Sequence, residues 1–140
     1  MIVIGICGAS GSGKSTLAEE IKNALSVPAI VIGQDWYYKD HSNLPFSERV
    51  NLNYDAPSIF DYDELFEDIT ALSEGRPITK KGYDYALHLR ADTDEIIQPP
   101  EVLILEGIHI FYDKRLRDMM HLKVYMMVDV DVCLLRRIQR

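Results

Sequence analysis

Eight consecutive residues, Gly8-Ala9-Ser10-Gly11-Ser12-Gly13-Lys14-Ser15, satisfy the spacing G-x-x-x-x-G-K-[ST] with nothing inserted or missing. These residue types suit the grip of a polyphosphate. A triphosphate is a dense anion, so its site must bring many donors to short range, and glycines at 8, 11 and 13 let successive backbone N–H groups turn inward as a nest. A helix begun at Ser15 adds its positive dipole end. Lys14 is expected to reach the β- and γ-phosphates and the Ser15 hydroxyl to hold Mg²⁺, with Thr16 the less suitable ligand, one position late.

Three acids follow apolar runs, where the open parallel sheets of nucleotide-binding folds place their ligands. Asp35 follows the run at 29–32, Glu106 ends the run at 102–105, and Asp129 ends the run at 122–128. Phosphoryl transfer needs one carboxylate near the metal and one that accepts the proton of the attacking hydroxyl. Glu106, followed by Gly107, suits the first task, its alternative being a solvated strand-end carboxylate. Asp35 suits the second, its alternative being a loop carboxylate or helix cap. For Asp129 and Asp131, at the start of the last helical segment, capping is the leading explanation.

The elements that must position these groups alternate along the chain. Residues 2–7 read as a buried strand feeding the glycines, 15–25 as the helix leaving them, and 29–32, 102–105 and 122–128 as further buried strands with helical patterns between them. This is the pattern of an α/β, doubly wound parallel sheet of the P-loop NTPase type with right-handed crossovers. Asp61 is placed to cap a helix through Leu72, with Asp61-x-x-Glu64 spaced as a capping box before a stop at Gly75. Two segments fall outside the alternation. Residues 34–60 are aromatic and broken by Pro45 and Pro57, and residues 77–98 carry β-branched and alternating positions that predict a small antiparallel excursion. Both are candidates to wall an acceptor pocket within a single domain, 1–140.

Composition narrows the partners. Fifteen Lys and Arg against 22 Asp and Glu give a formal charge of −7, which disfavours broad attraction to nucleic acid or an anionic membrane. Cys7 and Cys133 read as two core thiols, in keeping with a reducing cytoplasm. The N-terminus shows no basic segment with a cleavage site, and no apolar run approaches the ~20 residues that cross a bilayer. The expectation is a cytoplasmic protein that holds its anion locally.

Beyond the glycine loop, Gln34-Asp35-x-x-Tyr38, Asn53-Tyr54-Asp55-x-Pro57, Tyr83-Asp84-Tyr85-x-x-His88-x-Arg90, Glu106-Gly107-Ile108 and Arg136-Arg137-Ile138-x-Arg140 stand in an order and spacing that resemble the uridine kinase (uridine-cytidine kinase) family of P-loop phosphotransferases. The resemblance spans nearly all 140 residues. It implies transfer of the γ-phosphoryl group of ATP, or GTP, to the 5′-hydroxyl of uridine or cytidine, with Asp35 as catalytic base and Asp55 holding the ribose diol. Tyr54 and Tyr85 match aromatic positions that flank the pyrimidine, Tyr83 and His88 match positions that bond its edge, and Tyr38 belongs to the same acceptor set. Arg90 is open between orienting Asp35 or a phosphate and a structural ion pair. Arg137 matches a residue that assists ribose or phosphate binding, on what resembles the start of a mobile lid helix; a solvated basic face is its alternative. Chains of this family continue into further lid arginines, a helix, a strand and the adenine site, so the resemblance implies a fold truncated before the lid and last strand. It also implies self-association.

Two other readings use the same residues. One is a related kinase for a different hydroxylated metabolite, such as nicotinamide riboside, pantothenate or ribulose 5-phosphate. The other is a nucleotide-binding module without turnover.

Overall fold

The computed structural model describes residues 1–139; Arg140, the last position of the expected lid motif, lies outside them. In chain order the elements are β1 (Ile2–Gly8), α1 (Lys14–Ala24), β2 (Ala29–Gly33), a 3₁₀ turn (Gln34–Tyr37), α2 (Phe46–Arg49), a second 3₁₀ turn (Pro57–Ile59), α3 (Tyr62–Ser73), four two-residue strands β3 (Ile78–Thr79), β4 (Tyr83–Asp84), β5 (Leu89–Arg90) and β6 (Ile96–Ile97), then β7 (Val102–Gly107), α4 (Lys114–Met119), β8 (Leu122–Met126) and α5 (Val130–Ile138). They form two compact units, one of Met1–Gly33 with the residues from Pro100 onward, the other Gln34–Pro99.

The first unit is built on a parallel sheet of order β2-β7-β1-β8. β7 is buried along its whole length, as a strand flanked on both sides and covered on both faces must be, which explains its unbroken apolar run up to Glu106. On one sheet face Ile6, Val102 and Ile104 pack with Ala18 of α1, and Leu17 and Ile21 extend the contact at helical spacing. The expected α/β architecture is the one observed. β8 is two residues shorter than its apolar run, because it pairs only with β1 and that ladder ends at Gly8–Met126. Cys7 and Cys133 are buried and form no disulfide.

In the second unit, β3 pairs antiparallel with β6 and β4 with β5, the antiparallel excursion expected of residues 77–98. α3 opens on Asp61, whose carboxylate accepts the Glu64 N–H at 3.0 Å, and closes before Gly75 at φ +80°. Only half of the expected capping box forms. The Asp61 N–H donates to the Tyr37 carbonyl at 2.7 Å, and the Glu64 carboxylate goes to Arg90. α3 buries Leu65, Ile69 and Leu72 at i, i+4 and i+7. Among the described residues no helix is long and apolar enough to cross a membrane.

The cap makes the first prediction. Asp61→Ala leaves the Glu64 amide without its acceptor and is expected to lower stability by about 1 kcal/mol, read from urea denaturation followed by circular dichroism.

Candidate active site

The glycine loop follows β1 directly. Gly13 occupies the N-cap of α1 at φ +92° and offers no side-chain cap, and no acid stands in the helix's first turn. The helix itself supplies no acceptors for its first-turn amides, the group of donors that suits an anion. Gly11 has φ +83°, and a Cβ there would stand 2.5 Å from the Cys133 carbonyl oxygen of α5. Ser12 is buried and its Oγ has no hydrogen-bond partner, an orphan polar atom in the loop. Lys14 is buried, with Nζ 3.4 Å from the Ala9 carbonyl, so its charge lies against the loop backbone rather than in solvent. Ser15 and Thr16 follow in the first turn of α1.

Glu106 was expected at the end of its strand. It lies inside β7, buried, opposite Ile6 on one side and Gly33 on the other. This puts a carboxylate on the strand beside the phosphate strand. Burial also pushes the Cys7 thiol up from its ordinary value; it donates to the Ile108 carbonyl at 3.4 Å and serves as core.

α5 closes one side of the loop. Arg136 Nη1 donates to the Gly11 carbonyl at 3.2 Å and lines a cavity of about 550 Å³ with Gly11, Ser12, Gly13, Thr16 and Glu20. Sequence reasoning singled out Arg137, which is exposed one position further on and therefore about 100° around the helix. No local signal separates the two, since Arg136 at i+3 and Arg137 at i+4 from the buried Cys133 share its face. Asp129 takes the N-cap position, as expected, but makes no side-chain capping bond.

In the Gln34–Pro99 unit the expected acceptor residues converge. Tyr38 stacks on Phe60 at 4.8 Å and meets Tyr54 edge-on at 5.4 Å and Tyr83 at 4.8 Å. Tyr54 packs on His88 at 5.0 Å, and the Tyr83 hydroxyl donates to the Tyr54 hydroxyl at 3.1 Å. The Tyr38 hydroxyl is pushed up to about 12, first by burial and then by the charges of Asp35 and Asp55, so both carboxylates stand near this aromatic shelf. Asp35 sits on the Gln34–Tyr37 turn and accepts the Tyr85 hydroxyl at 2.9 Å. Asp84 accepts the Ala86 and Leu87 amides, forming the tight turn that delivers His88 at φ +52°.

Arg90 is committed elsewhere. Its guanidinium bonds both Glu64 oxygens, Asp92 and the Tyr38 carbonyl. Burial works against the charge, and the hydrogen bonds that Arg90 donates to Glu64 and Asp92 outweigh it, holding Arg90 above its ordinary value. Of the alternatives left open for this residue, these contacts are those of the ion pair, and the reason is geometric: a planar fork with two carboxylates in reach is filled by them. The sequence reading missed the rest of this network, in which Lys81 bridges Glu64 and Asp68, and Asp68 accepts the buried Tyr37 hydroxyl at 2.7 Å.

A parallel sheet that delivers a glycine nest, a buried lysine and an uncapped helix N-terminus defines a P-loop phosphate-binding protein. The sequence model of the Phosphoribulokinase / Uridine kinase family matches residues 3–140, and the chain belongs to that family. Over 140 residues, 99% of this chain, it is 49% identical to the uridine kinase of Bacillus subtilis (strain 168) and 47% identical to that of Geobacillus sp. (strain WCH70). It spans 66% of the length of each of these relatives. A crystal structure from Silicibacter sp. TM1040, provisionally assigned as a fructose transport system kinase, aligns with a TM-score of 0.81 at 26% identity over 99% of this chain and 71% of that one. A chain from Bacillus stearothermophilus, provisionally assigned as a uridine kinase, shares the fold at TM-score 0.69 and 20% identity, over 96% of this chain and 75% of its own.

Two predictions come from this geometry. Gly11→Ala forces a left-handed alanine against the Cys133 carbonyl and should cost about 2 kcal/mol or more, seen as a lower urea midpoint. The second concerns pH. Because the folded state holds the Tyr38 proton more tightly than the unfolded chain, whose ordinary value is 10.0, this stabilisation is complete below about pH 10 and is lost as pH rises toward 12. The loss is on the order of 3 kcal/mol. Urea titrations from pH 8 upward should show it, and Tyr38→Phe should flatten the decline.

Proposed function

We propose that the chain carries the phosphate-donor loop and the acceptor shelf of a nucleoside kinase that transfers the γ-phosphoryl group of ATP, or GTP, to the 5′-hydroxyl of uridine or cytidine. The observation that carries this reading is a shelf of Tyr38, Tyr54, Tyr83 and His88 with Asp35 bonded to Tyr85 beside Tyr83 and Asp55 next to Tyr54 in the chain. A phosphate loop alone would serve an ATPase, a GTPase or a kinase equally. An aromatic shelf with two carboxylates suits a flat base joined to a hydroxylated sugar. The uridine kinase relatives at 49% and 47% identity support the same substrate class.

In this reading the backbone amides of residues 8–13, with those of Lys14, Ser15 and Thr16, hold the donor phosphates, and Lys14 neutralises charge at the β,γ bridge. The uncapped first turn and the orphaned Ser12 Oγ fit an anion there. The Ser15 hydroxyl and Glu106 are the oxygen donors for Mg²⁺, which supplies charge neutralisation between the phosphates when bound. No cluster of three or more acidic, His or Cys ligands occurs among the described residues.

Asp55 takes the ribose diol, since one carboxylate can accept two hydroxyl hydrogen bonds. Tyr54 and Tyr85 flank the base, Tyr83 and His88 bond its edge, and Arg137 assists at ribose or phosphate. Asp35 accepts the proton of the 5′-hydroxyl as the new O–P bond forms and the diphosphate leaves with the electrons of the broken P–O bond.

The test is nucleoside-dependent ADP release by the full chain. Asp35→Asn should lower kcat at least about 100-fold while leaving donor-nucleotide binding intact. A kcat within about threefold of wild type would exclude Asp35 as the base.

A further inference from the structure

The Tyr85 hydroxyl donates to Asp35 Oδ2 at 2.9 Å, across 50 residues of chain. Both ends of this bond are built. Asp35 rides on a turn whose neighbour Tyr37 is fully buried and tied to Asp68, and Tyr85 follows Asp84, whose carboxylate fixes the turn at Ala86 and Leu87. The Tyr85 ring itself is 57% exposed and meets Tyr83 edge-on at 5.6 Å, so burial alone does not fix its hydroxyl. The hydroxyl reaches one carboxylate oxygen only. Oδ1 of Asp35 accepts no hydrogen bond from any described residue.

We infer that Tyr85 is a positioning residue for Asp35, its hydroxyl holding Oδ2 so that Oδ1 is the oxygen presented to the acceptor hydroxyl. This rests on Asp35 as the base, and it adds a role for the Tyr85 hydroxyl to the flanking role proposed for its ring. A proton acceptor must meet its donor within hydrogen-bond range and in line, and a carboxylate on a short turn has a rotatable χ1 and χ2. A neutral donor on the far oxygen removes that freedom without neutralising the base.

The experiment separates hydroxyl from ring. In the full chain Tyr85→Phe keeps the ring and should lower kcat for nucleoside phosphorylation about tenfold, with KM for the nucleoside changed less than about twofold. In an Asp35→Asn background the same substitution should change kcat less than about twofold, since the two residues then act through one step. The inference is overturned if Tyr85→Phe leaves kcat at its wild-type value, if it raises KM alone, or if it raises kcat, which would mark a bond that blocks the base. A failure of the base assignment shows separately, as wild-type-like turnover in Asp35→Asn itself.

Discussion

A row of backbone amides at the turn from β1 into α1, where the helix itself supplies no acceptors, is the constraint on which the phosphate-loop unit depends. Such a row is stable only if the chain around it cannot relax to satisfy the amides internally. β1 supplies that rigidity by lying between β7 and β8, paired with β7 up to Cys7 and with β8 up to Gly8. Ala18 and Leu17 then lock α1 to the sheet. Cys133 closes against Gly11 so tightly that only a residue without a side chain fits. Lys14 and Glu106, one cation and one carboxylate, are buried in the same unit. Burying charge is costly, and the return is electrostatic preorganisation: donors held in place need no rearrangement when phosphate charge arrives.

The Gln34–Pro99 unit is held by a different device. Its β ladders are two residues long, too short to be stable as free hairpins. A chain of polar contacts from Tyr37 through Asp68, Lys81, Glu64 and Arg90 to Asp92 ties α3 to the first 3₁₀ turn and to the β4–β5 hairpin. Paired charges of this kind add little net stability over an apolar core of the same shape, but removing one partner strands the others. Their effect is to fix geometry. Tyr38, Tyr54, Tyr83 and His88 come from three separate segments, and apolar contact among them would permit several arrangements where the Arg90 fork permits few.

The parallel sheet, the phosphate loop and the α3 cap were legible because each is written locally. An apolar run, a glycine spacing and an Asp61 before a helical pattern each act within a few residues. The antiparallel excursion was legible for the same reason. What local pattern did not fix was the choice of partner over long range. Glu64 has the spacing of a capping box, yet Arg90, 26 residues away, outcompetes the Asp61 amide because a bidentate charged pair is the stronger bond. Arg136 and Arg137 are adjacent identical residues at i+3 and i+4 from Cys133, and only the bond of Arg136 to the Gly11 carbonyl distinguishes them. The Tyr85–Asp35 bond had no signature in sequence, since a tyrosine hydroxyl carries no periodicity.

The two ends of the proposed reaction differ in how much they ask of side chains. Phosphates are held by backbone amides that any sequence with the right glycines can present, so the loop is generic by its physics. The acceptor shelf must pay for each contact by giving one up. Tyr54 and Tyr83 already bond each other through their hydroxyls and pack with Tyr38, interactions of about 0.5–1.5 kcal/mol per aromatic pair beyond their burial. A base that stacks there gains about 1–3 kcal/mol and displaces part of this, so stacking discriminates weakly among flat rings. Discrimination then falls to polar edges. A hydroxyl or imidazole left unpaired by the wrong ring penalises it far more than a lost methylene would, so in the proposed site substrate choice would fall to Tyr83 and His88 rather than to the faces of the shelf.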